Sequence, residues 1–176
     1  VVEKRMRPLL EGGTGSRSQE ELQPGFLPDK CEAGTPNGAG LAGLAAGIAW
    51  LGRREREEES AGRKSLLETE RRLAERLIHG ITEIPGARVY GPADVRNRLG
   101  VVSFTLRNIP VSEIGEILDT RFGVLCRVGL HCAPAAHRTI GTFPEGTVRL
   151  SLGAFTTEGE IDQTIEAVRK IAGEKG

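Results

Sequence analysis

Hydrophobic and polar positions change period several times along the chain, and each change predicts an element. Gly38 to Leu51 is a nearly unbroken run of Gly, Ala, Leu and Ile, and Asn37 before it suits a helix N-cap, so a buried helix is expected over Leu41 to Leu51. A charge run from Arg53 to Lys64 follows, after which Leu66, Leu67, Leu73, Leu77 and Ile78 recur at helical spacing. These predict one long surface helix ending near Gly80. Val89-Tyr90 reads as a short strand and Gly100 to Leu106 as a second, with Val102, Phe104 and Leu106 on one face; the two are expected to pair.

Further on, Ser112 with Ile114, Ile117 and Leu118 predicts a helix closed by Gly123, then a third strand over Val124 to Arg127 and a fourth over Thr147 to Leu152. Thr157 with Glu160 three residues on is a capping-box pattern, and Ile161, Ile165, Val168 and Ile171 make the apolar face of a terminal helix. The fold class that follows is α+β, a short antiparallel or mixed sheet covered by helices. Residues 1 to 37 break this order with Gly12-Gly13-Thr14-Gly15-Ser16, Pro24-Gly25, Pro28-Asp29 and Gly34-Thr35-Pro36-Asn37. So irregular a segment is not expected to fold alone, and the chain is divided at this stage into 1–37 and 38–176.

Composition narrows the function. The 24 basic and 24 acidic residues cancel, which leaves no net field to gather nucleic acid or an anionic membrane surface. The 14 residues from Gly38 to Leu51 fall short of the roughly 20 needed to span a bilayer. Cys31, Cys126 and Cys132 form neither an even disulfide set nor a zinc spacing, so reduced thiols, no metal and a cytoplasmic setting are expected. The opening Val1-Val2-Glu3-Lys4-Arg5 has no basic-then-apolar leader; it predicts a piece of a longer protein without a signal peptide.

Gly38-Ala39-Gly40-Leu41-Ala42-Gly43 matches the G-x-G-x-x-G dinucleotide fingerprint, but the polar, proline-containing turn ahead of it is not the strand that the fingerprint requires. The glycines are expected to let this helix pack closely on another backbone. The turn Gly34-Thr35-Pro36-Asn37 reads either as a plain helix cap or as an anion-binding corner, with the Thr35 hydroxyl beside the first N–H groups of a helix. Cys132, just before Ala133-Pro134, with His131 adjacent and Arg127 upstream, reads as a reactive thiol or as a structural cysteine. Arg149, inside the apolar run Val148 to Leu152, points to solvent or to a specific anion. His79 reads as a surface residue at a helix end, and His137 as a residue of the helix after Cys132.

Three blocks of residues resemble the cysteine desulfurases and selenocysteine lyases of the class V aminotransferase superfamily: Gly12 to Glu21, Glu32 to Asn37, and Arg127 to Pro134 followed by Val148-Arg149-Leu150-Ser151. The resemblance covers nearly the whole chain. It implies the C-terminal part of a homodimeric, fold type I enzyme, with residues 1–37 ending a large cofactor domain and 38–176 forming the small domain. It also implies pyridoxal phosphate as cofactor, with Thr35 and Gly34 of the E-x-G-T-x-N turn at its phosphate. Cys132 would accept sulfur from L-cysteine as a persulfide, Arg149 would clamp the substrate carboxylate, and Arg127 and His131 would neighbour it. A sulfur-acceptor protein and a place in iron–sulfur cluster assembly come with the same resemblance. Two departures stand out: none of the five lysines, Lys4, Lys30, Lys64, Lys170 and Lys175, follows a histidine as the family's cofactor lysine does, and Leu130 stands where some members carry a polar residue. The alternatives are a selenocysteine lyase or another class V enzyme, and, from a different class, a non-catalytic sulfur-relay or binding domain.

Overall fold

The computed structural model describes residues 5–13, 15–62, 64–92 and 94–175; Lys4 and Thr14, named above, lie outside them. The chain divides into two compact units, Val1–Arg54 and Glu55–Gly176. Among the described residues no helix is long and apolar enough to cross a membrane.

In the first unit the described residues up to Asn37 are irregular apart from short 3-10 turns at Gly15–Arg17 and Asp29–Cys31. The Gly13 carbonyl accepts from the N–H groups of both Gly15, at 2.8 Å, and Gly34, at 3.2 Å, pinning the glycine-rich stretch to the Gly34-Thr35 turn. Helix α1, Gly38–Ser60, starts where Asn37 Oδ1 accepts from Gly40 N–H at 2.9 Å, the cap expected from sequence. The expectation of a buried helix is not met: Leu41, Leu44, Ile48 and Leu51 are all exposed. Nor do the glycines mark a close backbone approach, since nothing lies within 4 Å of where a Cβ on Gly43 or Gly47 would stand. An apolar run reveals what a helix could bury, but its covering surface is a tertiary property.

The charge run belongs to α1, which continues through it to Ser60, and α2 is a separate helix, Leu66–Thr82. The single long helix of the sequence reading is thus two. Ser65 is the punctuation between them: its side chain accepts from Glu68 N–H while the Glu68 side chain accepts from Ser65 N–H, a complete capping box. Glu55 also accepts from Leu66 N–H at 2.9 Å, so the charge run helps to start the helix after it.

Four strands, β1 Ala87–Tyr90, β2 Val101–Leu106, β3 Arg127–Gly129 and β4 Thr147–Ser151, form an antiparallel sheet in the order β1-β2-β4-β3. The predicted pairing of the first two strands is present, with Val89 opposite Phe104. The third strand is later and shorter than expected, because Val124 to Cys126 run on from α3, Val111–Phe122, as a connection rather than a strand. Gly123 closes α3 with a left-handed φ of 65°, which a residue without Cβ adopts at little cost. From β2 the chain crosses through α3 to β3 at the far edge and returns as β4 into the gap.

One face of the sheet is apolar. Val102, Phe104 and Leu106 of β2 and Val148 and Leu150 of β4 are buried with Leu73, Leu77 and Ile81 of α2, Ile114 and Leu118 of α3, and Ile161, Ile165, Val168 and Ile171 of α5, Glu158–Lys175. Thr157 and Glu160 cap α5 reciprocally as expected. The residues between the core positions, Val101, Ser103 and Thr105 of β2 and Thr147, Arg149 and Ser151 of β4, belong to the opposite face. This alternation makes a contrast: Phe104→Ala is expected to cost roughly 3–5 kcal/mol of folding stability by emptying the core, whereas Val101→Ala, at a half-exposed position, should cost under about 0.5 kcal/mol. Denaturant titration of both variants checks it, and similar losses would contradict the assignment of faces.

Candidate functional site

The pairing of β3 with β4 sets Arg127 opposite Arg149, and residues directly opposite across antiparallel strands share a face. Both therefore lie on the face away from the core. Like charges so placed repel, and neither arginine has an acidic partner among the described residues. Arg149 Nε is buried without a hydrogen-bond partner. A buried donor left unpaired costs about 1–3 kcal/mol, more when charged. Two guanidiniums on neighbouring strands, one with an orphaned donor, fit a carboxylate or another small anion.

The connection from β3 to β4 carries Cys132. It opens with a tight turn in which Ala133 N–H donates to the Leu130 carbonyl at 2.8 Å, and the central residues His131 and Cys132 both have left-handed φ, 49° and 59°. Turns of this kind normally use Gly or Asn, and a non-glycine residue held in this region costs on the order of 1–3 kcal/mol. The strain sits on the candidate thiol and its neighbour. Cys132 is exposed, and Pro134 occupies the first turn of the short helix α4, Pro134–Ile140, as expected. At the other end of the connection Gly146 passes so close to Gly129 that a Cβ on it would lie 2.1 Å from the Gly129 carbonyl. Only glycine allows that crossing.

His131 is tied back to the sheet, its Nε2 lying 3.2 Å from the hydroxyl of fully buried Thr147. Burial first, then the positive charge of Arg149, and after it His137 and Arg127, hold the His131 imidazole below the ordinary histidine value, with the bond to Thr147 pulling the other way. These surroundings favour the neutral form of the His131 imidazole over the charged one. His137 lies on α4, as read from sequence, but is buried, a feature that its isolated position in the sequence does not signal. Cys126 is half-buried, and burial together with nearby Asp119 pushes its thiol up, in keeping with a structural role. His79 is an exposed residue near the end of α2, as expected.

Of the site residues named from sequence, Arg127 and Arg149 lie opposite each other and His131 is within reach of both charges, with Cys132 the next residue along its turn. Gly34 and Thr35 belong to the first unit, where they line a cavity of about 310 Å³ together with Gly13, Ser16 and the acidic residues Asp29 and Glu32. A Cβ on Gly13 would lie 2.8 Å from Gly34 Cα, so the corner closes only with glycine there.

The class-V aminotransferase family matches residues 1–164 of this chain. The chain belongs to that family. A probable cysteine desulfurase of Mycobacterium leprae is 33% identical over 93% of the chain and 37% of its own length, and a cysteine desulfurase of Pectobacterium atrosepticum is 31% identical over 93% and 38%. Among solved structures, an apo cysteine desulfurase from Thermococcus onnurineus superposes with a TM-score of 0.73 at 30% identity, over 84% of this chain and 34% of that one. The cysteine desulfurase CsdA of Escherichia coli, in an S-sulfonic acid form, gives a TM-score of 0.79 at 25% identity, over 99% and 41%. The chain therefore spans well under half the length of these relatives, and its α+β fold is that of a part of them.

Two outcomes follow from the geometry. By NMR, the His131 imidazole should titrate with a midpoint below the free value of about 6.5. Because the folded pKa is the lowered one, the associated stability is present above the unfolded pKa and is lost as pH falls from there through the folded pKa; a midpoint at or above the free value would contradict the environment described. Alkylation at neutral pH should reach Cys132 and Cys31 before Cys126, and preferential labelling of Cys126 would contradict the burial assigned to it.

Proposed function

We propose that this chain is the C-terminal portion of a pyridoxal-phosphate-dependent cysteine desulfurase, which converts L-cysteine to L-alanine and takes the sulfur onto Cys132 as a persulfide. The observation that carries this reading is the exposed thiol on a strained turn, next to a histidine that feels the charges of Arg149 and Arg127. Relatives of that name along 93% of the chain support it. In this reading residues 1–37 end a large cofactor domain, 38–176 form the small domain, and the enzyme works as a cytoplasmic homodimer that passes sulfur to an acceptor protein, as in iron–sulfur cluster assembly.

For the cofactor, the test is the corner in the first unit. The residues Ser16 and Thr35, with hydroxyl side chains, and a glycine crossing that a Cβ would fill, fit a phosphate; Asp29 and Glu32, which line the same cavity, do not. Thr35 and Gly34 are therefore the residues assigned to hold it. The electron sink that renders a substrate sulfur electrophilic is what pyridoxal phosphate supplies when bound. The chain's own residues do the rest. Arg149, with Arg127 beside it, holds the L-cysteine carboxylate and so fixes the direction of the substrate. In the tautomer whose Nε2–H donates to the Thr147 hydroxyl, His131 can accept a proton at Nδ1. The Cys132 thiolate forms an S–S bond to the substrate sulfur as the substrate C–S bond breaks and its electron pair leaves on the carbon side.

In an enzyme that carries this chain together with the cofactor lysine, Cys132→Ser should abolish sulfide release and leave the cofactor bound, because a hydroxyl is a far poorer nucleophile than a thiolate. Sulfide production at the parent rate would remove Cys132 from the reaction. Arg149→Ala should raise KM for L-cysteine roughly tenfold to a hundredfold, the worth of a charge-assisted pair of about 1.5–3 kcal/mol. Unchanged KM would return Arg149 to a structural role. Thr35→Ala should speed loss of pyridoxal phosphate on dialysis, and equal retention would count against the phosphate corner.

A further inference from the structure

His137 takes no part in the reaction outlined above, yet it is a buried imidazole directly behind the cysteine turn. Its Nδ1 lies 2.7 Å from the Thr142 hydroxyl, in a pair buried on both sides. Its ring faces that of His131 at 5.7 Å between centroids and a tilt of 48°. The main chain at His137 also gathers the connection: its N–H donates to the Ala133 carbonyl at 3.2 Å, and its carbonyl accepts from the N–H groups of Thr142, at 2.9 Å, and Phe143, at 3.2 Å. Any residue could make those main-chain bonds. The side chain adds only the bond to Thr142 and the ring face against His131, and an apolar residue would fill the same space without having to satisfy a buried polar group.

Two histidine–threonine pairs thus hold the connection, His131 to Thr147 across its two ends and His137 to Thr142 within it, with the two rings 5.7 Å apart between centroids. The turn that they hold contains two residues in left-handed backbone conformations, and such strain persists only where the surroundings over-determine it. We propose that His137 is a positioning residue for Cys132: through its bond to Thr142 and its contact with His131 it holds the His131-Cys132 turn in the conformation that presents the thiol. The functional side of this rests on the reading of Cys132 as the sulfur acceptor; the structural side does not.

The test is amide hydrogen exchange on the full 176-residue chain, comparing Ala133 N–H, which closes the turn, with amides of α5 as an internal reference for global stability. His137→Leu and Thr142→Val should each speed exchange at Ala133 about tenfold or more, the loss of roughly one buried hydrogen bond, with α5 unchanged. In His137→Asn the amide can occupy the Nδ1 position, and exchange should return to within about threefold of the parent. Ala133 exchange unchanged in Thr142→Val, which keeps the shape of the side chain, would overturn the proposal even if His137→Leu fails to fold; so would an asparagine variant no better than leucine. In the desulfurase assay, His137→Leu or Thr142→Val should lower kcat while KM for L-cysteine stays close to the parent value, because Arg149 remains in place. An unchanged kcat with a loosened turn would sever the link to the thiol. Sulfide release undiminished by Cys132→Ser would instead remove the functional reading and leave the exchange result standing.

Discussion

Everything in the second unit depends on the pairing of β4 with strands on both sides. Because successive residues of a strand face opposite ways, the registers that put Val148 opposite Phe104 and Leu150 opposite Val102 in the core also put Arg149 on the other face, opposite Ser103 and Arg127. Burial of the apolar residues, worth roughly 1.5–3 kcal/mol for each large side chain, thereby fixes the direction of a guanidinium that contributes nothing to that core. A slip of one residue would exchange the two sets. Stability and the placement of the two guanidiniums are consequences of one constraint.

The second constraint is the return from β3 to β4. A connection between neighbouring antiparallel strands can be very short, but here it includes a helix, a strained turn and a glycine-on-glycine crossing. The buried polar groups inside it are satisfied in pairs, which makes the connection an ordered part of the unit. An exposed thiol on such a support differs chemically from one on a loose loop, since its direction is set before any substrate arrives.

Much of this was legible in the sequence. Alternation in Gly100 to Leu106 placed Val102, Phe104 and Leu106 on the buried face, Gly123 closed its helix, Asn37 and Thr157 capped theirs, and Pro134 marked the start of the helix after Cys132. What could not be read there depends on tertiary surroundings. The run Gly38 to Leu51 is apolar, but only the fold shows that its leucines are exposed in this chain. Val124 to Cys126 has the composition of a strand and serves as a connection. Adjacency to a cysteine likewise says nothing about the two arginines and the second imidazole that act on His131. The partners of His137 and the contact of Gly129 with Gly146 join residues 5 and 17 positions apart, at spacings that no helix or strand period marks.

The most direct test of the central claim is the mass of the peptide containing Cys132, taken from an enzyme that includes this chain and its cofactor lysine, after brief exposure to L-cysteine and blocking of free thiols. The account predicts a gain of one sulfur atom on Cys132, reversed by a reducing thiol, with Cys31 and Cys126 unchanged. Alanine formed in quantity while Cys132 never carries the extra sulfur, or carries it no more than the other two cysteines, would contradict it.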